Sequence, residues 1–146
     1  MAESYIPIAV QKEVIRLSNG YCEYCLHPEN YASDFFHFDH IIPLSMGGTS
    51  DLSNIARSCG LCNGFKRQII EHFDPITGQI YPLFNPRKSI WTAHFKWSED
   101  DLLILGETPT GRATIELLQL NRQQVVNLRQ LLRNAGLHPP KFSVVV

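Results

Sequence analysis

Four cysteines stand in two C-x-x-C pairs, Cys22/Cys25 and Cys59/Cys62. Between them runs Asp39-His40-Ile41-Ile42-Pro43, and Asn63 directly follows the last cysteine. Two-residue spacing lets both thiolates of a pair reach one tetrahedral zinc ion, and two such pairs close a four-sulfur structural shell. The intervening stretch is then a loop held on a fixed base. Its Asp, His and Asn side chains are types that hold a divalent ion and move a proton.

Two disulfides are the competing use of four cysteines. The chain shows no basic-plus-apolar signal segment and no run long enough to span a membrane, so the expectation is a cytoplasmic protein without a membrane association. Disulfides do not persist in a reducing compartment, which favours zinc. Redox chemistry would need a single C-x-x-C in a thioredoxin-like setting. With 146 residues, 44% hydrophobic and 18% charged, the chain can bury one modest core. A net charge of −1 gives no global footprint for nucleic acid, so any such surface must be local.

The elements that position these residues are partly legible. Pro7 followed by Ile8, Val10, Val14 and Leu17, with Gly20 as a stop, predicts a helix over 7–18. Residues 35–42 are aromatic and β-branched and predict a strand, closed by Pro43 and Gly47-Gly48; residues 54–57 predict a second. A helix is expected over 63–71, with the second knuckle as its N-terminal cap. Beyond Asp74-Pro75, strands are expected at 79–84, 91–97 and 102–105, forming a small sheet. A helix is expected over 111–119, and another starts at Asn121 with Gln124 in a capping-box-like pair and runs to Gly136. Residues 144–146 are expected to dock as a strand or to fray. Arg122, Arg129 and Arg133 are expected on one helix face opposite Val125, Leu128 and Leu132.

Taken in order, Cys22-x-x-Cys25, Asp39-His40-Ile41-Ile42-Pro43-x-Ser45-x-Gly47-Gly48, Asn54 and Cys59-x-x-Cys62-Asn63-x-x-Lys66 resemble the HNH endonuclease family in its zinc-knuckle form. Each piece alone is weak: Asp39-His40 could be a surface pair, and Asn54 or Asn63 a cap. The resemblance implies an α+β fold with a ββα-metal core on the four-cysteine zinc site. It implies that His40 is the general base, that Asn54 fixes the loop and orients the histidine, and that Asp39 and Asn63 hold a catalytic ion. Asn63 stands where the family often has histidine. Two oxygen donors favour Mg²⁺ or Mn²⁺. Lys66 and Arg67, three and four residues after Asn63, are candidate phosphate contacts, and Arg57 is a further one. One difficulty is built in: neighbouring strand residues face opposite sides, so Asp39 and His40 reach one ion only where the strand ends or twists.

The expected organisation is a nuclease core over 1–74 and an α+β extension over 75–146 packed on it. The extension, with Pro82-Leu83-Phe84-Asn85-Pro86-Arg87, Trp91, His94 and Trp97, resembles one found on a bacterial HNH subgroup. Its large aromatics are expected to build core. The leading expectation is metal-dependent cleavage of DNA, double-stranded first, leaving a 5′-phosphate. Two rivals stand beside it: a zinc-stabilised nucleic-acid-binding module without catalysis, and a nuclease effector or toxin held by an inhibitor or targeting protein.

Overall fold

Helix α1, Ile8–Ser18, starts after Pro7, whose carbonyl accepts from the Gln11 N–H, and ends where Asn19 turns left-handed at φ 54°. The computed structural model that shows this describes residues 5–141; the expected strand or frayed end at 144–146 lies outside them. The inner face of α1 buries Val14 against Ile55 and Ile6, with Val10, Phe38 and Leu52 at the margin. Full burial of a side chain the size of Val14 contributes roughly 1.5–3 kcal/mol.

Strand β1, His37–His40, pairs antiparallel with β2, Ile55–Ser58, in a register that sets Asp39 opposite Ala56 and His40 opposite Ile55. Helix α2, Gly60–Lys66, follows at once, and the Cys59 sulfur caps it by accepting the Cys62 N–H. The order β1, β2, α2 is a ββα unit. Helix α2 is shorter than expected. It stops because Arg67 takes φ 51° and ψ −130°, and Glu71, expected to end the helix, instead opens strand β3, Glu71–Phe73. Strand β3 pairs with β4, Ile80–Pro82, across a turn in which the Asp74 carboxylate accepts the Ile76 N–H.

The second half holds no continuous sheet among the described residues. Strand β5, Phe95–Trp97, follows a 3₁₀ turn over Trp91–Ala93 and pairs only with β6, Ile104–Gly106. Helix α3, Pro109–Leu118, is capped by the Thr108 hydroxyl, which accepts the Gly111 N–H, and packs on α2 and on both hairpins. Helix α4 runs Gln123–Asn134. The expected capping box does not form, because the Asn121 amide instead bonds both the N–H and the carbonyl of Ile104.

One apolar cluster joins the two halves: Cys22, Tyr24, Ile41 and Ala56 from the first with Phe84, Phe95, Ile104, Leu118 and Leu120 from the second. Phe84 meets Tyr24 edge-on, with ring centroids 6.5 Å apart. No helix among the described residues is long and apolar enough to cross a membrane.

Candidate active site and zinc centre

The two knuckles bring all four sulfurs within 4.8 Å of one another, and all four cysteines are buried. Cys25 and Cys59 sulfurs are 3.7 Å apart. That matches the separation of about 3.8 Å that tetrahedral ligands impose at a Zn–S distance near 2.3 Å. Burial pushes the Cys22 thiol up, whereas hydrogen bonds from Cys22, Cys25 and Cys62 hold Cys59 well down. Four thiols this crowded cannot all be satisfied by one another, and a structural zinc ion accounts for the arrangement.

At the other end of α2, Phe38, Asp39, His40, Pro43, Leu44, Ser45, Asn63, Arg67 and Gln68 line a cleft of about 270 Å³. Here β1 ends. Because His40 is the last strand residue, Asp39 and His40 both border the same space despite starting on opposite faces. The Ser45 hydroxyl donates to the Gln68 side chain at 3.0 Å and ties the loop after Pro43 to the chain leaving α2.

His40 Nε2 lies 3.0 Å from the Ser50 hydroxyl, which fixes the ring, and no described residue hydrogen-bonds Nδ1. Burial lowers the pKa of His40 below the ordinary imidazole value, with Asp39 pulling it up and Lys66 down, so the ring is biased to its neutral, proton-accepting form. Asn54, at the far end of the loop, accepts the Ile42 N–H and donates to the Ile42 and Thr49 carbonyls, all within 2.9 Å. A Cβ on Gly48 would meet the Ile42 carbonyl at 1.8 Å, so this crossing tolerates no side chain there.

Asp39 is buried between two donors. The Tyr24 hydroxyl donates to Oδ2 at 2.8 Å, and the Lys66 ammonium lies 3.3 Å from Oδ2 and 3.4 Å from Oδ1. Burial pushes the Asp39 carboxyl up, while Lys66 and Tyr24 draw it down. Burial also pushes the Tyr24 phenol up, so it keeps its proton and donates. Oδ1 has only the long contact to Lys66 and retains acceptor capacity. With the Asn63 amide on the same cleft, the donor set suits a hard divalent ion.

Three cations expected at the surface are placed differently. Lys66 is 1% exposed and also donates to the Ile41 and His40 carbonyls, at 3.1 and 3.4 Å, so it is not presented to a phosphate. Arg57 is buried as well, paired with Glu29 at 2.9 Å and stacked 4.5 Å over the Phe38 ring. Arg129 lies inward on the Val125/Leu132 face, bonds the Leu102 and Leu120 carbonyls and sits over Trp97; burial lowers it to about 10. Arg67 alone of the candidate phosphate contacts is both exposed and on the cleft. Sequence reasoning passed over Tyr24, Ser50 and Gln68. Only the position of Tyr24 inside the first C-x-x-C pair hinted at a role.

The residues of the zinc centre and of the cleft fall in one continuous span. Residues 22–68 match the family model of the HNH endonucleases. This span is an HNH endonuclease domain. Every residue lining the cleft lies within it, and so does every member of the zinc set. No curated protein and no solved structure matches the chain. The helices and hairpins after Gln68 therefore lie beyond the HNH domain in sequence while sharing its apolar cluster.

Proposed function

We propose that the chain is a metal-dependent endonuclease that hydrolyses DNA phosphodiester bonds. The observation that carries this reading is the convergence of Asp39, His40 and Asn63 on one cleft inside the HNH span. His40, held through Nε2 by Ser50, takes the proton of the attacking water at Nδ1. Asn54 holds the loop that presents the histidine. Arg67 meets a neighbouring phosphate from the lip of the cleft. Asp39 and Asn63 hold Mg²⁺ or Mn²⁺, which when bound supplies charge for the phosphate oxygens and the departing 3′ oxygen.

Incubation of supercoiled plasmid with pure protein in Mg²⁺ or Mn²⁺, beside EDTA and His40→Ala controls, tests the proposal. Nicking by the wild type, with loss of a factor of about 10²–10⁴ in His40→Ala at unchanged zinc content, is the expected result. A rival reading, a zinc-stabilised nucleic-acid-binding module without turnover, draws on the ion pair that already engages Asp39. DNA retention with no nicking under any metal would favour it.

A further inference from the structure

Tyr24 belongs to the zinc knuckle by position, yet its hydroxyl does nothing for the knuckle. It lies between Cys22 and Cys25, is fully buried, and directs its one O–H bond at Asp39 Oδ2. The Lys66 ammonium straddles both oxygens of that carboxylate, 3.3 Å from Oδ2 and 3.4 Å from Oδ1, and two backbone carbonyls of the segment leaving β1 hold it in place. Three donors on one ammonium are thereby matched to Asp39, His40 and Ile41. An Asp held by two buried donors keeps one rotamer, where a carboxylate at a cleft mouth would sample several.

We propose that Tyr24 and Lys66 are positioning residues that set the affinity of the cleft for its divalent ion by fixing the Asp39 carboxylate. The inference rests on the reading of Asp39 as an ion ligand. It makes the first zinc knuckle a support for the catalytic ligand as well as for the fold. Lys66 does this work from the last turn of α2, three residues after Asn63, so one short helix presents one ligand and braces the other. Groups that orient a metal ligand from behind typically govern metal affinity by a factor of about 10–100. Neither residue touches the phosphate in this arrangement, since both are almost wholly excluded from solvent.

The test uses the full-length, zinc-loaded protein without DNA and reads Mn²⁺ binding from the loss of the free-ion electron paramagnetic resonance signal. Tyr24→Phe removes only the hydroxyl and is expected to weaken Mn²⁺ binding on the order of 10-fold. In nicking assays the same variant needs more Mn²⁺ for half-maximal rate and regains most of the wild-type rate at saturation. Phe84→Leu is the control for mere packing, because Phe84 touches Tyr24 edge-on and makes no bond to Asp39. It is expected to lower the melting temperature and leave Mn²⁺ affinity alone. An equal shift in Phe84→Leu, or none in Tyr24→Phe, overturns the proposal. Lys66→Met gives a second route: weaker Mn²⁺ binding supports positioning, and tighter binding overturns it by showing that the ammonium repels the ion. Asp39→Ala separates the two levels of argument. If it leaves Mn²⁺ affinity unchanged, the assignment of Asp39 as ligand fails; if it abolishes binding while Tyr24→Phe does not, only the positioning role fails.

Discussion

The indole N–H of Trp91 donates to the Tyr24 carbonyl at 2.9 Å, so a residue of the second half closes the loop of the first zinc knuckle. The same loop is gripped by Arg87, which pairs with Glu23, and by the Phe84 ring. Removing residues 75–146 would strip these partners and uncover Tyr24, Ile41 and Ala56. We expect the 1–74 fragment, even with zinc, to lack a cooperative thermal transition and to bind a hydrophobic dye. A sharp melt with full activity would instead make the second half a separate module.

Zinc and folding are expected to be one equilibrium in the first half. Cys59 is both a ligand candidate and the cap of α2, so Cys59→Ser disturbs the ion and the helix that carries Asn63. Purified wild type should hold one zinc per chain by elemental analysis, and Cys59→Ser should hold none and lose far-ultraviolet ellipticity. Folded, metal-free wild type is the result that would remove zinc from the account.

The ββα order was legible because its signals are local: knuckle spacing, a β-branched run closed by proline and glycines, and a helix opening on a cysteine. The fate of the cations was not. Lys66 and Arg129 look like surface charges because their acceptors lie 25 and 27 residues away, at Ile41 and Leu102. A periodic reading grouped Arg129 with Arg122 and Arg133, whereas packing of α4 placed it with Val125 and Leu132. Asn121 fits a local cap pattern, yet a strand edge at Ile104 claimed its amide. Each miss is a long-range partner overriding a short-range preference.

Arg57 and Arg67 should separate by experiment. Arg67→Ala is expected to leave the melting temperature within a degree or two, raise the DNA dissociation constant, and reduce its salt dependence by about one ion. Arg57→Ala should do the reverse, since it removes the Glu29 pair and the stacking on Phe38. Fluorescence anisotropy across a salt series, with melts of both variants, checks this; equal loss of DNA affinity in the two would restore Arg57 as a phosphate contact.

Asn63 offers a test through metal preference. An amide oxygen is a hard donor, whereas imidazole nitrogen raises affinity for Ni²⁺ and Co²⁺ over Mg²⁺. Asn63→His should stay folded and shift its nicking activity toward those ions, and Asn63→Ala should weaken the response to every ion while retaining zinc. Identical metal profiles in all three proteins would reduce Asn63 to a helix residue.

His94 gives the second half a pH dependence that can be read apart from the cleft. Its Nδ1 lies 2.7 Å from the Thr108 hydroxyl and its Nε2 lies 3.1 Å from the Ser89 hydroxyl. Thr108 already accepts the Gly111 N–H as the cap of α3, so its own proton is best given to Nδ1, which assigns His94 as neutral with the proton on Nε2. Protonating Nδ1 sets two donors against each other at the start of that helix. Burial also lowers His94 below its ordinary value. With the folded value below the unfolded one near 6.5, the unfolded chain takes up the proton first; stability is therefore full above about pH 6.5 and falls as pH drops toward the folded value. The melting temperature of the wild type should decline between about pH 7.5 and about pH 5.5 more steeply than that of His94→Gln, which has nothing to titrate at this position. His27 and His138 are also shifted down and contribute to both proteins, so their effect cancels in the difference. Parallel curves for the two proteins would show that His94 accepts its proton without cost to the α3 cap.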